Sequence, residues 1–309
     1  YNGGLALEVI LLRRWFEDAP LGGYFTALSL AGLFEVGVHW GAQHMVNREA
    51  AARLEALNRW LPGLAAASLL TVAAATAAVA WLHQPALGII AGAALVRAGS
   101  TLLGGICIGR GHVVPPAVSR VLSPVVGLVG LVVLVRPEPS LARLAVVVSL
   151  ATAGYALPLV LAHRRLGTTL VARPARWWSA WRWLAVHVWP FVLVFFCAQL
   201  LSRADGALLE WLDGDEAVAV YMTAFKWVEG LFFLPYVVAS ATIPALVAAK
   251  EGGTKKTLTR VCTALFGGTL GLALLLLVAG EPILLLLVGE RFQPSVPLYR
   301  LFVWLLPIH

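Results

Sequence analysis

A chain of 309 residues that is 60% hydrophobic and only 13% charged is not an ordinary soluble domain, where about a quarter of residues are charged. Its mean hydropathy of +0.84 makes the bilayer the solvent to reason with, and each span then takes about 20 apolar residues. The net charge of +7 is better explained by basic loops on the cytoplasmic side of a membrane than by a nucleic-acid partner.

In chain order, residues 1–15 look like the tail of one span. Further spans are predicted at 22–45, 62–82, 86–109, 115–135, 141–162, 186–211, 217–248, 260–288 and 296–309. The fold class is therefore an all-α polytopic membrane protein with about nine or ten transmembrane helices. Pro235 and Pro244 predict kinks in the span at 217–248, and Pro282 predicts an interruption of the span at 260–288. The chain opens at Tyr1 without an initiator methionine and closes inside an apolar run at His309. No basic segment with a cleavage site precedes the spans. These features predict a fragment of a longer protein.

The loops alternate in charge. One set carries Arg48, Arg53 and Arg59; Arg110 and Arg120; Arg164, Arg165, Arg173, Arg176 and Arg182; and Lys250, Lys255, Lys256 and Arg260. The other set includes His83-Gln84-Pro85, which has no Lys or Arg, and the acidic run Asp213-Gly214-Asp215-Glu216. Arg136 and Arg291 are the exceptions. This bias puts the basic loops in the cytoplasm. The longest of them, 163–185, divides the spans into two groups, a lobe at 1–162 and a lobe at 186–309. Its Trp177, Trp178, Trp181 and Trp183 alternate with Arg176 and Arg182, the composition of an amphipathic helix on the inner leaflet or of a headgroup gate.

Charges inside the spans are the sharpest functional signal. Ionisable groups are costly in hydrocarbon, so they face a bundle interior or a watery cavity. Gln199 and Arg203 are four apart and share a helix face, whereas Asp205 lies about 200° around the helix from Arg203. Either each pairs with a neighbouring span for structure, or they line a cavity. Lys226 and Glu229, with Thr223, form one stripe at spacing three. They either neutralise each other, or Lys226 holds an anionic substrate while Glu229 titrates. Glu35, His39 and Gln43 form a stripe at spacing four. It is either a proton site or a polar seam near the end of a span. Arg97 is either a cavity cation or a partner for Glu35. Together Arg97, Arg203 and Lys226 favour a phosphorylated or pyrophosphorylated substrate, since Arg grips phosphate with two parallel bonds.

Other signals are structural. Gly37/Gly41, Gly88/Gly92, Gly105/Gly109 and Gly267/Gly271 predict close helix contacts. Cys107, Cys197 and Cys262 stand singly in apolar runs and read as small packing residues, with no metal or redox spacing. No Walker motif, H-E-x-x-H or G-x-S-x-G occurs, so neither an enzyme nor ATP-driven transport by this chain alone is expected, and no cofactor or metal is predicted.

Several stretches resemble a known family. Leu21-Gly-Gly-Tyr-Phe-Thr-Ala-Leu-Ser-Leu30 is similar to the start of the second span of Wzx-type polysaccharide (O-antigen) flippases. Ser202-Arg-Ala-Asp-Gly-Ala-Leu-Leu209, Ala217-Val-Ala-Val-Tyr221, Ala224-Phe-Lys226 and Ile243-Pro-Ala-Leu246 resemble their seventh and eighth spans. Gly280-Glu-Pro-Ile283 with Gly289-Glu-Arg-Phe292 resembles the end of their ninth. The resemblance is to the multidrug/oligosaccharidyl-lipid/polysaccharide exporter superfamily. It implies a two-lobed helix bundle with a cationic cavity. It also implies flipping of a polyprenyl-pyrophosphate-linked oligosaccharide across the bacterial cytoplasmic membrane for polysaccharide biosynthesis.

By position, Arg203, Asp205 and Lys226 match charged positions of the family's second lobe. The substrate-binding set is then Arg97, Arg203, Lys226 and Gln199. The ion-coupling set is Asp205, Glu229, Glu35 and His39, and the mechanism is alternating access. Expected partners are the lipid-linked substrate, membrane lipids and polysaccharide polymerase or assembly proteins. A lipid II flippase and a drug or metabolite exporter of the same superfamily are the alternatives. A membrane glycosyltransferase is disfavoured because the outward loops are too short to carry catalytic acids.

Overall fold

The computed structural model describes residues 2–39, 54–165, 182, 186, 189–232 and 251–308. All regular structure in them is helical. The elements are α1 (Asn2–Trp15), α2 (Asp18–His39), α3 (Leu54–Leu82), α4 (Pro85–Gly109), α5 (Val114–Gly130), α6 (Leu141–Arg165), α7 (Trp189–Glu229), α8 (Glu251–Val288) and α9 (Val296–Phe302). Among the described residues five segments are long and apolar enough to cross a membrane: 64–82, 85–109, 114–135, 141–165 and 259–286. These coincide with five of the predicted spans. The inter-lobe tryptophans, Gln43, Pro235 and Pro244 lie outside the described residues.

Local chemistry explains where the helices begin and end. Pro85 opens α4 just after Gln84; a proline there loses nothing, because its missing N–H would have no helical partner. α4 closes with Gly111 N–H donating to Ile108 O at 2.9 Å and His112 N–H to Cys107 O at 2.8 Å, the paired bonds that satisfy the last carbonyls. Ser140 caps α6, its Oγ accepting from Arg143 N–H at 3.3 Å. α5 passes into a wider π-helical turn at Leu131–Val135, closed by Arg136 N–H to Leu131 O at 2.9 Å.

Three predicted boundaries change. The loop expected at 213–216 shrinks to a single non-helical residue, Gly214, with φ 81°, a backbone conformation that glycine adopts without steric cost. The predicted spans 186–211 and 217–248 thus meet in one helical run, α7, broken only there. Pro282 does not interrupt α8, which runs through it to Val288; proline costs a helix one N–H donor, and a long apolar helix tolerates that loss. The stretch at 296–309 is not one regular span, because α9 has seven residues and tightens into a 3₁₀ turn at Val303–Leu305.

The chain divides into two compact units, Gly22–Val218 and Tyr1–Leu21 with Ala219–His309. In the Gly22–Val218 unit, small residues let neighbouring helices approach. Gly88 and Gly92 of α4 face Ala80 and Thr76 of α3, so these helices run antiparallel. Gly127 and Gly130 of α5 face Ala151 and Val147 of α6, again antiparallel. Thr152 of α6 donates to Ala93 O of α4 at 3.2 Å, and Leu159 faces Gly104, so α4 and α6 are parallel. Arg110 and the pair Arg164–Arg165, which follow or close α4 and α6, therefore share one end of the unit. Gly267 and Gly271 differ from expectation: among the described residues nothing stands within 4 Å of where their Cβ would be. Cys107 is buried as expected, whereas Cys197 and Cys262 are exposed.

The other unit packs Ile10 of α1, Ala224 and Val228 of α7, Ala273, Leu284 and Val288 of α8, and Tyr299 and Phe302 of α9 into one core. Phe302 meets Tyr221 and Phe225 edge-on at 5.1 and 5.5 Å between ring centres, a favoured aromatic geometry. Tyr299 lies across Gly280 and donates its hydroxyl to Leu276 O at 2.9 Å.

Candidate functional site

The most polar helix contact in the Gly22–Val218 unit is between α2 and the first half of α7. Gly22, Thr26, Ser29 and Gly32 are all buried and follow one another at helical spacing, so α2 presents a stripe of small residues. Gly22 abuts the backbone carbonyl of Asp215, and Gly32 abuts the aliphatic stem of Arg203. Further along, Gln199 Nε2 donates to Glu35 Oε2 at 3.1 Å. The pairings 22 with 215, 32 with 203 and 35 with 199 run in opposite directions and fix α2 and α7 as antiparallel.

Glu35, Gln199 and Arg203 thus gather at one interface. Gly32 and Glu35 are three apart on α2, and Gln199 and Arg203 four apart on α7, so each pair shares a helix face. One carboxylate, one amide and one guanidinium lie between the two helices, beside the small-residue stripe of α2. Such a site can bind an anion through the guanidinium, and the carboxylate can exchange a proton.

Arg97 goes elsewhere. Gly99 faces Val38 of α2, and Arg97, two residues earlier, points about 200° away. Its guanidinium carbon stands 5.3 Å from the centre of the Tyr155 ring of α6, a cation–π contact. Asp205 Oδ1 accepts from Gly206 N–H at 2.8 Å. His39 is the last residue of α2, and its side chain lies outside the described part of the chain.

Lys226 and Glu229 belong to the other unit. Lys226 is 4% exposed, and its Nζ donates to Glu229 Oε2 at 2.5 Å. This is the mutual neutralisation that their spacing allows. The predicted set therefore separates into Glu35–Gln199–Arg203 between α2 and α7, Arg97 on Tyr155 between α4 and α6, and Lys226–Glu229 in the second unit. An apolar groove of about 570 Å³ between α4 and α6, lined by Ala86, Ile89, Ala145, Val146 and Leu150 among others, contains none of these residues.

Sequence reasoning missed several participants. Gly32 makes room for Arg203, and only the contact reveals it. Arg13 is 1% exposed and paired with Asp18, although it lies inside the apolar run at 1–15 and could have been found there. His83 Nδ1 stands 3.9 Å from Glu210 Oε1, bringing the end of α3 against α7. Among the described residues no three His, Cys, Asp or Glu side chains converge as a metal site. In comparison with known proteins, no family model, no curated protein and no solved structure matches the chain.

Proposed function

We propose that this chain belongs to a two-lobed polytopic transporter of the bacterial cytoplasmic membrane. Its substrate is a polyprenyl-pyrophosphate-linked oligosaccharide, moved from the inner to the outer leaflet by alternating access. The observation that carries this reading is the gathering of Arg203, Gln199 and Glu35 between α2 and α7. Buried ionisable groups in a helix bundle usually mark a transport path. Arg203 attracts the pyrophosphate, Gln199 orients Glu35, and Glu35 carries the coupling proton. Arg97, facing Tyr155, is a second cation on the path. Asp205 and His39 complete the groups of this unit through which an ion is exchanged. The end of the Gly22–Val218 unit that carries Arg110, Arg164 and Arg165 faces the cytoplasm, in keeping with the excess of Lys and Arg on that side of membrane proteins.

A lipid II flippase would need the same cation for the same pyrophosphate. A drug exporter would favour a more acidic interior than Arg97 and Arg203 provide.

The test uses the full-length gene in a host lacking its own O-unit flippase. Surface polysaccharide display is compared for wild type, Arg203→Ala and Lys226→Ala at matched membrane levels. Restored display that Arg203→Ala abolishes supports the reading. Full display in both variants makes these charges structural and overturns it.

A further inference from the structure

Away from the α2–α7 site, three titratable groups meet at the end of the Gly22–Val218 unit opposite its basic loops. His83 follows the last residue of α3. Its Nδ1 is 3.9 Å from Glu210 Oε1, with both side chains partly buried. Asp215 is the first residue after the break at Gly214, and its carboxyl feels the charge of His83. The imidazole thus stands beside one carboxylate and acts electrostatically on a second, one on each side of the break in α7.

Asp215 is held there by its backbone. Its carbonyl abuts Gly22, where any side chain on α2 would collide with it. Its carboxylate oxygens lie 3.8 and 3.9 Å from where a Cβ on Gly23 would stand, and Oδ1 is buried with no hydrogen-bond partner. That oxygen lacks a donor, and a buried acceptor without one is expensive. Burial pushes its pKa above the ordinary aspartate range, and His83 partly offsets this.

Among the described residues, His83 is the charged group that acts on Asp215. On α2 the nearest titratable group is Asp18, one turn before Gly22 and paired with Arg13. The first turn of α4, Pro85 to Leu87, carries none. Asp213 and Glu216, its neighbours on α7, are exposed acids. The missing partner is a cation, and His83 is the group that can become one.

We propose that His83, Glu210 and Asp215 form a proton-binding site that, when His83 is protonated, clasps the end of α3 to both sides of the α7 break at Gly214. The ligand is a proton rather than a metal, because the three side chains do not converge closely enough to coordinate an ion. Neutral imidazole offers at most one N–H donor, whereas imidazolium offers two, enough for both carboxylates. The site releases its proton as the surrounding pH rises and the imidazolium gives way to neutral imidazole. The α7 break is then free to flex about Gly214. This holds whatever the protein carries, since it uses none of Glu35, Gln199 and Arg203.

The test is hydrogen–deuterium exchange of the full-length protein in lipid nanodiscs. Peptides covering 79–88 and 207–218 are followed at about pH 5.5 and about pH 8, on either side of the ordinary histidine pKa, after correction for intrinsic exchange rates. The wild type should exchange there on the order of tenfold more slowly at the acid pH, one pKa unit's worth of coupling. His83→Gln should exchange fast at both pH values, and His83→Arg, a permanent cation, slowly at both. Peptides from α5 and α6 report that each variant is folded. Absence of pH dependence in the wild type, the same pH dependence in His83→Gln, or fast exchange in folded His83→Arg at the higher pH would each overturn the proposal.

Discussion

Gln199 and Glu35 are 164 positions apart in sequence and joined by a hydrogen bond of 3.1 Å. That bond fixes which face of α7 meets α2, and with it the placement of Arg203 against Gly32. Gln199→Leu would leave a partly buried carboxylate short of one donor. A cost of about 1–3 kcal/mol is expected from the lost bond and the desolvated acceptor. Glu35→Gln keeps an oxygen able to accept from Gln199 and should cost less than half as much. Unfolding curves in a mild detergent, with the two variants beside the wild type, decide this. Equal losses would mean that the charge of Glu35, not the bond, holds the interface.

The two glycines that open the described part of this interface should behave differently. A Cβ on Gly22 would collide with the backbone carbonyl of Asp215, whereas one on Gly23 would first meet the Leu87 Cδ1 methyl at 3.2 Å. Backbone cannot swing aside, and a leucine methyl can. Gly22→Ala should therefore cost about 1–3 kcal/mol, the usual range for overpacking, and lower the melting temperature. Gly23→Ala should leave it nearly unchanged. A comparable loss in both would show that α2 and α7 cannot be packed as closely as the structure has them.

The sequence made five long helices legible because a bilayer-length apolar run is a strong and local signal. It also made Arg97, Arg203 and Lys226 visible as charges inside such runs. Of their partners, only Glu229 was legible. Lys226 finds Glu229 within its own helix, a pairing that spacing allows but does not require. Arg97 rests on Tyr155, 58 positions away by their numbering, and no periodicity encodes which helix α4 turns that face toward. The break in α7 was expected as a four-residue loop because Asp213-Gly214-Asp215-Glu216 reads as turn chemistry. Helix dihedrals fail only at Gly214, and acidic residues are tolerated in helices where solvent reaches them. Small residues were legible as a class, yet Gly88 and Gly92 make contacts while Gly267 and Gly271 make none among the described residues. Composition marks where close packing is possible, and the facing helix decides whether it occurs.

Lys226 and Glu229 offer a double-mutant comparison. Lys226 is 4% exposed, so Glu229→Gln would strand a buried ammonium without its countercharge. A loss of roughly 3 kcal/mol is expected, at the low end for a broken buried pair, because the Glu229 side chain is 26% exposed. The double variant Lys226→Met with Glu229→Gln should recover most of that loss, since both charges are then gone. Detergent unfolding of the two variants checks this. If the double variant is no more stable than Glu229→Gln, the ammonium contributes through contacts beyond its pair with Glu229.

Asp215 sets a pH dependence whose sign can be worked out. Burial pushes its carboxyl above the ordinary aspartate range, so the folded state disfavours the ionised form relative to the unfolded chain. Below the ordinary pKa, near 3.9, both states are protonated and there is no penalty. As pH rises past that value the unfolded chain ionises more readily, and stability falls until the raised pKa is passed. Asp215→Asn removes the ionisation and should therefore melt higher than wild type at neutral and alkaline pH, with the difference vanishing toward pH ~3.5. His83 adds a second step: its protonated form favours the Asp215 carboxylate, the offset that lowers the aspartate pKa. The advantage of Asp215→Asn should then be larger when His83 is neutral than when it is protonated. In a His83→Gln background that step should disappear while the advantage at alkaline pH remains. Melting temperatures of the four proteins across pH measure both steps. A wild type that outlasts Asp215→Asn at alkaline pH would mean that contacts of the ionised carboxylate outweigh its burial.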